Sequence, residues 1–460
     1  VDALMPGRVV RLNGGEIVFL LFLIPTGLVC QQIAQLDLSR IPAIPFGNKK
    51  FHVRELLKSS VRREMESAIT LADAQSISFS HSNGAVELVP ADGDKIQVKL
   101  DARIYADSDA AAQAAGQALR VTSESEDGQL RLVLPQPEDD KTSYEIAVRL
   151  AVPPDIPVRI DNSFGDISAR ELKNPLVLSA RNGRITVAGH TGAVQVNDRY
   201  SEVSLNDITG DVQVKGTDAK IHLDKVTGLV TAEIKNGSLH LTEINSKLTD
   251  LKGQYGSIEA ENITGEVKVA ASETHVWLQG VRGPASIENA REDVQVTDLQ
   301  GDLTLKVRSG DIELKQIRGR VQGEATGGSL SLVDGTNGAG LVLDKCQCEL
   351  DTVDGPVQIV NSTDPIILRA VTGAVDVKNR NANISIHGLP PDPKIKVAAA
   401  TERGDITFFL PAFPEKRLFR LTSTGGRIRS DIRGVTPEPK SEGGLLVWQQ
   451  VDPLHQEEAD

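Results

Sequence analysis

Three groups of side chains in this sequence have the types and spacing that chemistry needs. Asp293 and Asp311 stand 18 residues apart, with Glu313 two further on. Enzymes that cut pectic polysaccharides on a parallel β-helix gather carboxylates on one outer face, so this trio is the enzyme candidate of the chain. His222 and His240 are also 18 apart, followed by Glu259, Trp277 and, beside the latter, His275. Imidazoles in a row with a carboxylate could hold zinc. Cys346 and Cys348 form a Cys-x-Cys pair that could serve redox chemistry or a metal.

Each group also has a plainer reading. The acidic trio is a solvated face with Arg308 or Lys315 nearby, the histidines are surface residues on strands, and the thiols occupy an inward position and a corner. No glycine loop opens a helix as a phosphate cradle would, and no Gly-x-Ser-x-Gly elbow occurs. The plainer readings are adopted, so no catalytic, cofactor-binding or metal-binding residue is assigned and no cofactor is expected.

The recurring interval belongs to the backbone that carries these residues. From Phe164 to His387 a short phrase returns every nine residues: Gly165-Asp-Ile-Ser, Gly183-Arg-Ile-Thr-Val and Gly237-Ser-Leu-His-Leu in one column, Gly192-Ala-Val-Gln-Val, Gly210-Asp-Val-Gln-Val and Gly265-Glu-Val-Lys-Val in the other. Each column repeats at 18, with one slip to 19 between Gly237 and Gly256. A fixed period of this length means a solenoid. On an extended chain Val212, Val214, Ile221 and Leu223 point inward while Asp211, Gln213, Lys220 and His222 point out. The glycines, often preceded by Asn as at Asn236-Gly237, would supply left-handed corners. A further aliphatic two places before many second-column corners (Ile208, Val226, Ile263, Leu299, Ile317) plugs the bend.

A hexapeptide helix is excluded because the series Ile208, Val214, Lys220 breaks it, and no aspartate column marks a calcium-binding roll. The fold class is therefore all-β: a two-sheeted, single-stranded β-solenoid of about twelve 18-residue coils, on the order of 60 Å long at ~4.8 Å per step. Such a rod needs caps. An α+β cap is expected over 76–160, with strands near Ile77, Val86, Ile96, Leu130 and Tyr144 and a helix from Ser108 to Leu119. The solenoid occupies 161–388, a β C-terminal cap 389–435, and a frayed tail 436–460, apart from Leu445 to Val447.

Ahead of the cap, Ile17 to Leu36 is apolar enough for a single membrane helix within an N-terminal segment over 1–36. Arg40, Lys49, Lys50 and Arg54 follow it and outnumber Arg8 and Arg11 before it, which by charge alone would keep the rod in the cytoplasm. In the linker 37–75, Leu56, Leu57, Val61, Met65 and Ile69 have helical spacing opposite Arg54, Lys58 and Arg62, predicting a juxtamembrane helix over Val53 to Ala72.

The chain has 460 residues with a formal charge of −13, so it offers nucleic acid no general attraction. Aromatic residues are only 3%, few for a glycan groove, and three cysteines rule out a disulfide framework. On the outer face Asp166, Arg184, Glu202 and Lys220 would stack as a ladder of alternating charge.

The order of a membrane segment, a Ser-x-Gly-x-Val-x-Leu opening strand, a Val-Pro-x-Asp entry and Thr-Gly-x-Val-x-Val coils resembles a bacterial adhesin-like family of β-strand-repeat proteins, a domain of unknown function. The resemblance spans roughly residues 76 to 430. It implies an envelope protein, often tethered by one N-terminal helix, with the rod outside the cytoplasm, and it carries over no catalytic residues. The expected function is thus a non-enzymatic, membrane-tethered solenoid whose surface contacts a protein or a wall polymer. A polysaccharide-active enzyme on a β-helix and a cytoplasmic self-associating scaffold are the alternatives.

Overall fold

The computed structural model describes residues 59–71, 73–137, 141–390, 395–409 and 418–430, and the backbone of the short strands Ile44–Phe46, Lys49–Phe51 and Leu445–Gln449. The membrane segment expected over 17–36 lies outside these residues. Among those described, no helix is long and apolar enough to cross a membrane.

Equivalent residues of successive coils pair in parallel at the expected interval. Val194 pairs with Val212 and Val212 with Val230 in one sheet; Val203, Ile221 and Leu239 do so in the other. Val212, Val214, Ile221 and Leu223 are all buried between the two sheets, because alternation over four residues sends two side chains inward from each strand. The slip to 19 is accommodated at the corner of Ser246 and Leu248, where the Ser246 hydroxyl bonds both backbone groups of Leu248; beyond it Thr249 and Leu251 take the inward places, and Gly256 stacks on Gly237.

The corners are built differently from the sequence expectation. Gly210 does lie at φ +150°, and a Cβ there would sit 2.2 Å from the Gly192 carbonyl oxygen. At Gly237, however, the left-handed residue is the preceding Asn236, at φ 54°. The glycine is needed there for space, since its Cβ would be 1.9 Å from the Ala219 oxygen. Ala219, Thr274 and Cys346 take the equivalent place in other coils, so the demand for glycine is set coil by coil.

A second left-handed row was not visible in the sequence. Asp207, Lys225, Glu243, Asn262, Asp298, Gln316, Asp334, Thr352 and Ala370 hold φ between 50° and 58°. Each immediately precedes the plug position, and the reversed φ turns that next side chain back into the core. All nine carry a Cβ, at about 1–2 kcal/mol of strain apiece. One plug is polar: His190, almost fully buried, pairs in register with Ile208. Burial holds its imidazole below the usual histidine range, as it does that of His81 beside the first coil.

The N-terminal cap is threaded out of order. Strand Ser76–His81 lies between Gln129–Val133 and Val158–Phe164, with Ile77 beside both Leu130 and Val158. Strand Val86–Pro90 lies between Ser143–Val152 and Ile167–Arg170 in the same way. A coil thus continues the solenoid ahead of residue 158, and the chain lays it down before the coil that ends up outside it. Between them run the strand Lys95–Ala106 and the helix Asp109–Ala118, capped by Ser108, whose Oγ accepts from the Ala111 N–H.

The helix expected over Val53 to Ala72 is instead a strand, Ser59–Thr70, antiparallel to Lys95–Ala106. Val61, Met65 and Ile69 are spaced by four, which puts them on one face of a strand as well as of a helix; here they pack on the core as alternate strand residues. The C-terminal segment also departs from expectation, because it continues the rod. Val375, Val397 and Phe419 pair in succession, as do Ile384, Ile406 and Ile428, at an interval of 22. Leu445–Gln449 then pairs antiparallel with Leu418–Ser423 and covers that edge.

Relief of left-handed strain should be measurable. Thr352→Gly removes a β-branched side chain at φ 55°, and denaturation should show a gain of roughly 0.5 kcal/mol despite glycine's extra freedom when unfolded. For His190, a ring whose protonation the fold resists binds fewer protons folded than unfolded. Stability should therefore fall as pH drops below about 6.5, where the unfolded imidazole takes up its proton. Thermal midpoints measured from about pH 7.5 to pH 5 should decline, and less steeply in His190→Val; an identical slope in the variant would contradict this assignment.

Candidate functional site

The acidic trio is structural. The Asp293 carboxylate accepts the backbone N–H of Asp311 at 2.9 Å, and Asp311 in turn accepts the N–H of Ser329 at 2.8 Å and its hydroxyl at 2.9 Å. Each acid is thus engaged by the next coil. Asp166, Asp211, Asp302 and Asp405 make the same bond to Arg184, Leu229, Arg320 and Arg427. The signal was present, as an aspartate directly after a corner. Glu313 pairs with Lys315 at 2.7 Å, as the plainer reading held.

The histidine row is equally self-contained. The rings of His222 and His240 are 5.9 Å apart and tilted by 60°. His240 uses Nδ1 on Glu259 at 3.4 Å and Nε2 on the Thr242 hydroxyl at 3.1 Å. Trp277, two strand positions beyond His275, pairs in register with Gln295. Among the described residues no three His, Cys, Asp or Glu side chains converge on a metal position. Cys346 and Cys348 are buried free thiols. Burial pushes the Cys346 thiol up to about 11 and that of Cys348 further up, so neither is poised as a thiolate.

Of the expected charge ladder, Arg184 reaches Glu202 at 2.8 Å, and Asp166 serves the backbone of Arg184 instead of its guanidinium.

A different place gathers polar groups without using them up. Three residues before each first-column corner, one side chain points into the core. Further along the rod this position holds Ile234, Val307 and Leu343. In some coils it holds an asparagine that ties two corners together: Asn162 donates to the carbonyls of Gly84 and Gly165 at 2.9 and 2.8 Å, and Asn289 and Asn361 bridge their corners alike.

Near the N-terminal end the column reads His81, Asn162, Ala180, Asp198, Gly216, through successive pairings. Ala180 and Gly216 are too small to fill it. A groove of about 520 Å³ opens over Ala180, floored by Ser80, Ser163, Ser179 and Asn197 and flanked by Arg181, Arg199 and Lys215. Asp198 is 6% exposed and Asn162 4%. One oxygen on each, Oδ2 and Oδ1 respectively, has no hydrogen-bond partner. Asp198 Oδ1 takes the Ser201 hydroxyl at 2.6 Å, and burial raises this carboxyl above the usual carboxylate range. Asp161, also at the groove, is held by Arg159 at 3.1 Å. Sequence reasoning passed over these residues because no motif marks them and because small or polar residues recur in this column, as at Gly253, Ala271, Asn289 and Ala325; the one sign was a carboxylate, Asp198, at an inward position.

Residues 74–337 match the family model described as Toastrack DUF4097. No curated protein matches the chain. A solved structure from Clostridium sporogenes ATCC 15579, described as a candidate cell adhesion protein, is similar at 10% identity over 48% of this chain and 100% of its own. Its TM-score is 0.25, and nothing further is drawn from that likeness.

The clamp reading gives a sharp expectation. Asp311→Ala should lower stability by about 1 kcal/mol in denaturant unfolding, having lost two bonds to Ser329, whereas Asp311→Asn keeps an acceptor and should lose less. Equal losses in the two variants would show that charge, not the inter-coil bond, is what matters there.

Proposed function

The chain belongs to the Toastrack DUF4097 family, a repeat family of unknown function, and on that premise we propose that it is a non-enzymatic rod of the cell envelope that presents polar faces to a wall polymer or a protein partner. The β-solenoid itself fits a structural or interaction role. In this reading residues 17–36 tether the protein to a membrane and the solenoid stands on the extracytoplasmic side.

The observation that supports it best is the near-constant coil. Corners recur at 18 residues from Gly165 to Ala382, with one step of 19, so among the described residues of these coils no inserted loops rise to wall off a cleft, and the carboxylates that might have done chemistry bind neighbouring coils instead. The self-associating scaffold is less favoured, because three of the four end strands are covered, Gln129–Val133 by Thr122–Glu126, Ser143–Val152 by Lys95–Ala106, and Leu418–Ser423 by Leu445–Gln449, and the fourth, Ile428–Ser430, is only three residues long. Exposed, unpaired edges are what end-to-end growth requires.

Protease accessibility of a C-terminal tag on cells producing the full chain tests the placement. Digestion on intact cells, or once only the outer layer is opened, is expected. Complete protection until the inner membrane is lysed would overturn the envelope reading. Incubation of the full chain with a panel of polysaccharides should release no new reducing ends; cleavage that disappears in Asp293→Asn would restore the enzyme alternative.

A further inference from the structure

We propose that the groove over Ala180 binds an acidic carbohydrate, its carboxylate held between Arg181 and Arg199 and its hydroxyls by the polar floor. This rests on the interaction reading above and names the ligand class.

The column that runs beneath the groove carries large aliphatics only at Ile234, Val307 and Leu343; elsewhere it is small or polar, as at Gly253, Ala271 and Asn289, and among the described residues Asp198 is the carboxylate that stands in it. Ala180 and Gly216, its neighbours in the column, add no bulk. Buried polar groups are ordinarily paired, yet Asp198 Oδ2 has no partner; the free Oδ1 of Asn162 recurs at Asn289 and Asn379 and belongs to the corner clamp. Asp198 Oδ2 is an acceptor, so a complementary ligand brings donors, as hydroxyl groups do.

The rim calls for the opposite charge. Arg181 and Arg199 occupy equivalent positions of adjacent coils, which places their backbones about 4.8 Å apart. Like charges so stacked repel unless an anion lies between them. No ion pair to either is found among the described residues, in contrast to Arg184 with Glu202 and Arg291 with Glu273 at 2.8 and 2.7 Å. Of the two carboxyl groups at the groove, Asp161 is engaged by Arg159, and Asp198 sits under the floor bonded to Ser201. Guanidinium forks match carboxylates in two parallel bonds.

The floor chooses between kinds of anion. Serine hydroxyls and the Asn197 amide both donate and accept, so they suit a ligand with many hydroxyls better than a bare phosphate, which offers acceptors almost alone. A volume of about 520 Å³ accommodates one or two sugar residues by the usual size of ligand sites. Apart from the imidazole of His81, the groove has no aromatic lining, so recognition runs mainly through hydrogen bonds and charge.

The test is calorimetric titration of the full chain in detergent with trigalacturonate, with its neutral counterpart galactotriose, and with inorganic phosphate. Trigalacturonate should bind, galactotriose at least tenfold more weakly, and phosphate should not displace it at equal concentration. The double variant Arg181→Ser/Arg199→Ser should weaken trigalacturonate at least tenfold. Ala180→Leu, which fills the column with a side chain the same column accepts at Leu343, should abolish binding while circular dichroism and the thermal midpoint show the rod intact.

Absence of trigalacturonate binding, or binding unaffected by both variants, would overturn the proposal. Equal binding of galactotriose would remove the role of the two arginines, and phosphate competing on equal terms would reduce the groove to a simple anion site; either result also overturns it. Because placement of the rod is read separately from tag digestion, the envelope reading can fail with this binding intact, and the reverse.

Discussion

Everything in this molecule depends on the backbone ladder between equivalent residues of successive coils. It obliges each coil to repeat closely the path of the one below, because the corners stack so tightly that a Cβ at Gly210 or Gly237 would collide with the carbonyl beneath it. Hydrophobic burial between the two sheets supplies the favourable free energy, and the ladder decides how that burial is arranged. The left-handed row before each plug shows how strictly the path is kept. Residues as different as Lys225, Gln316 and Ala370 accept the same reversed φ, so local preference yields to the coil as a whole.

The same constraint explains what the sequence disclosed. Inward positions recur at fixed steps, so Val212, Val214, Ile221, Leu223 and the plug at Ile208 could be read directly, as could the thiols buried at Cys346 and Cys348. What lay outside the repeat was harder. Val61, Met65 and Ile69 satisfy helix and strand alike, and only pairing with the distant Lys95–Ala106 decides between them. The two last coils run at 22 residues, and the break at Leu389-Pro-Pro-Asp-Pro393 reads as an end where the rod in fact goes on. Pattern reveals period; partners far apart in sequence are set by tertiary pairing, which a local pattern does not contain.

The candidate sites divide along a similar line. Residues singled out for their chemistry proved to be absorbed by the rod: Asp293 and Asp311 in inter-coil bonds, Glu313 with Lys315, His240 between Glu259 and Thr242. A repeat protein offers each outward side chain a neighbour one coil away, so polar residues in register find one another before they find a ligand. The groove over Ala180 arises in the reverse manner, at a small residue beside a buried carboxylate, Asp198, one oxygen of which no neighbouring coil matches.

The threading of the N-terminal coil has a mechanical consequence. An ordinary end coil is held along one side only, and a pull on its free terminus can peel it off bond by bond. Here the strands Ser76–His81 and Val86–Pro90 lie inside the stack, each laddered on both edges. A tension transmitted from the N-terminal side reaches that coil once Ser59–Thr70 and Lys95–Ala106 have parted. To go further it must then rupture two ladders together, so the fold places its strongest resistance to extension close to the end through which a tether would load it.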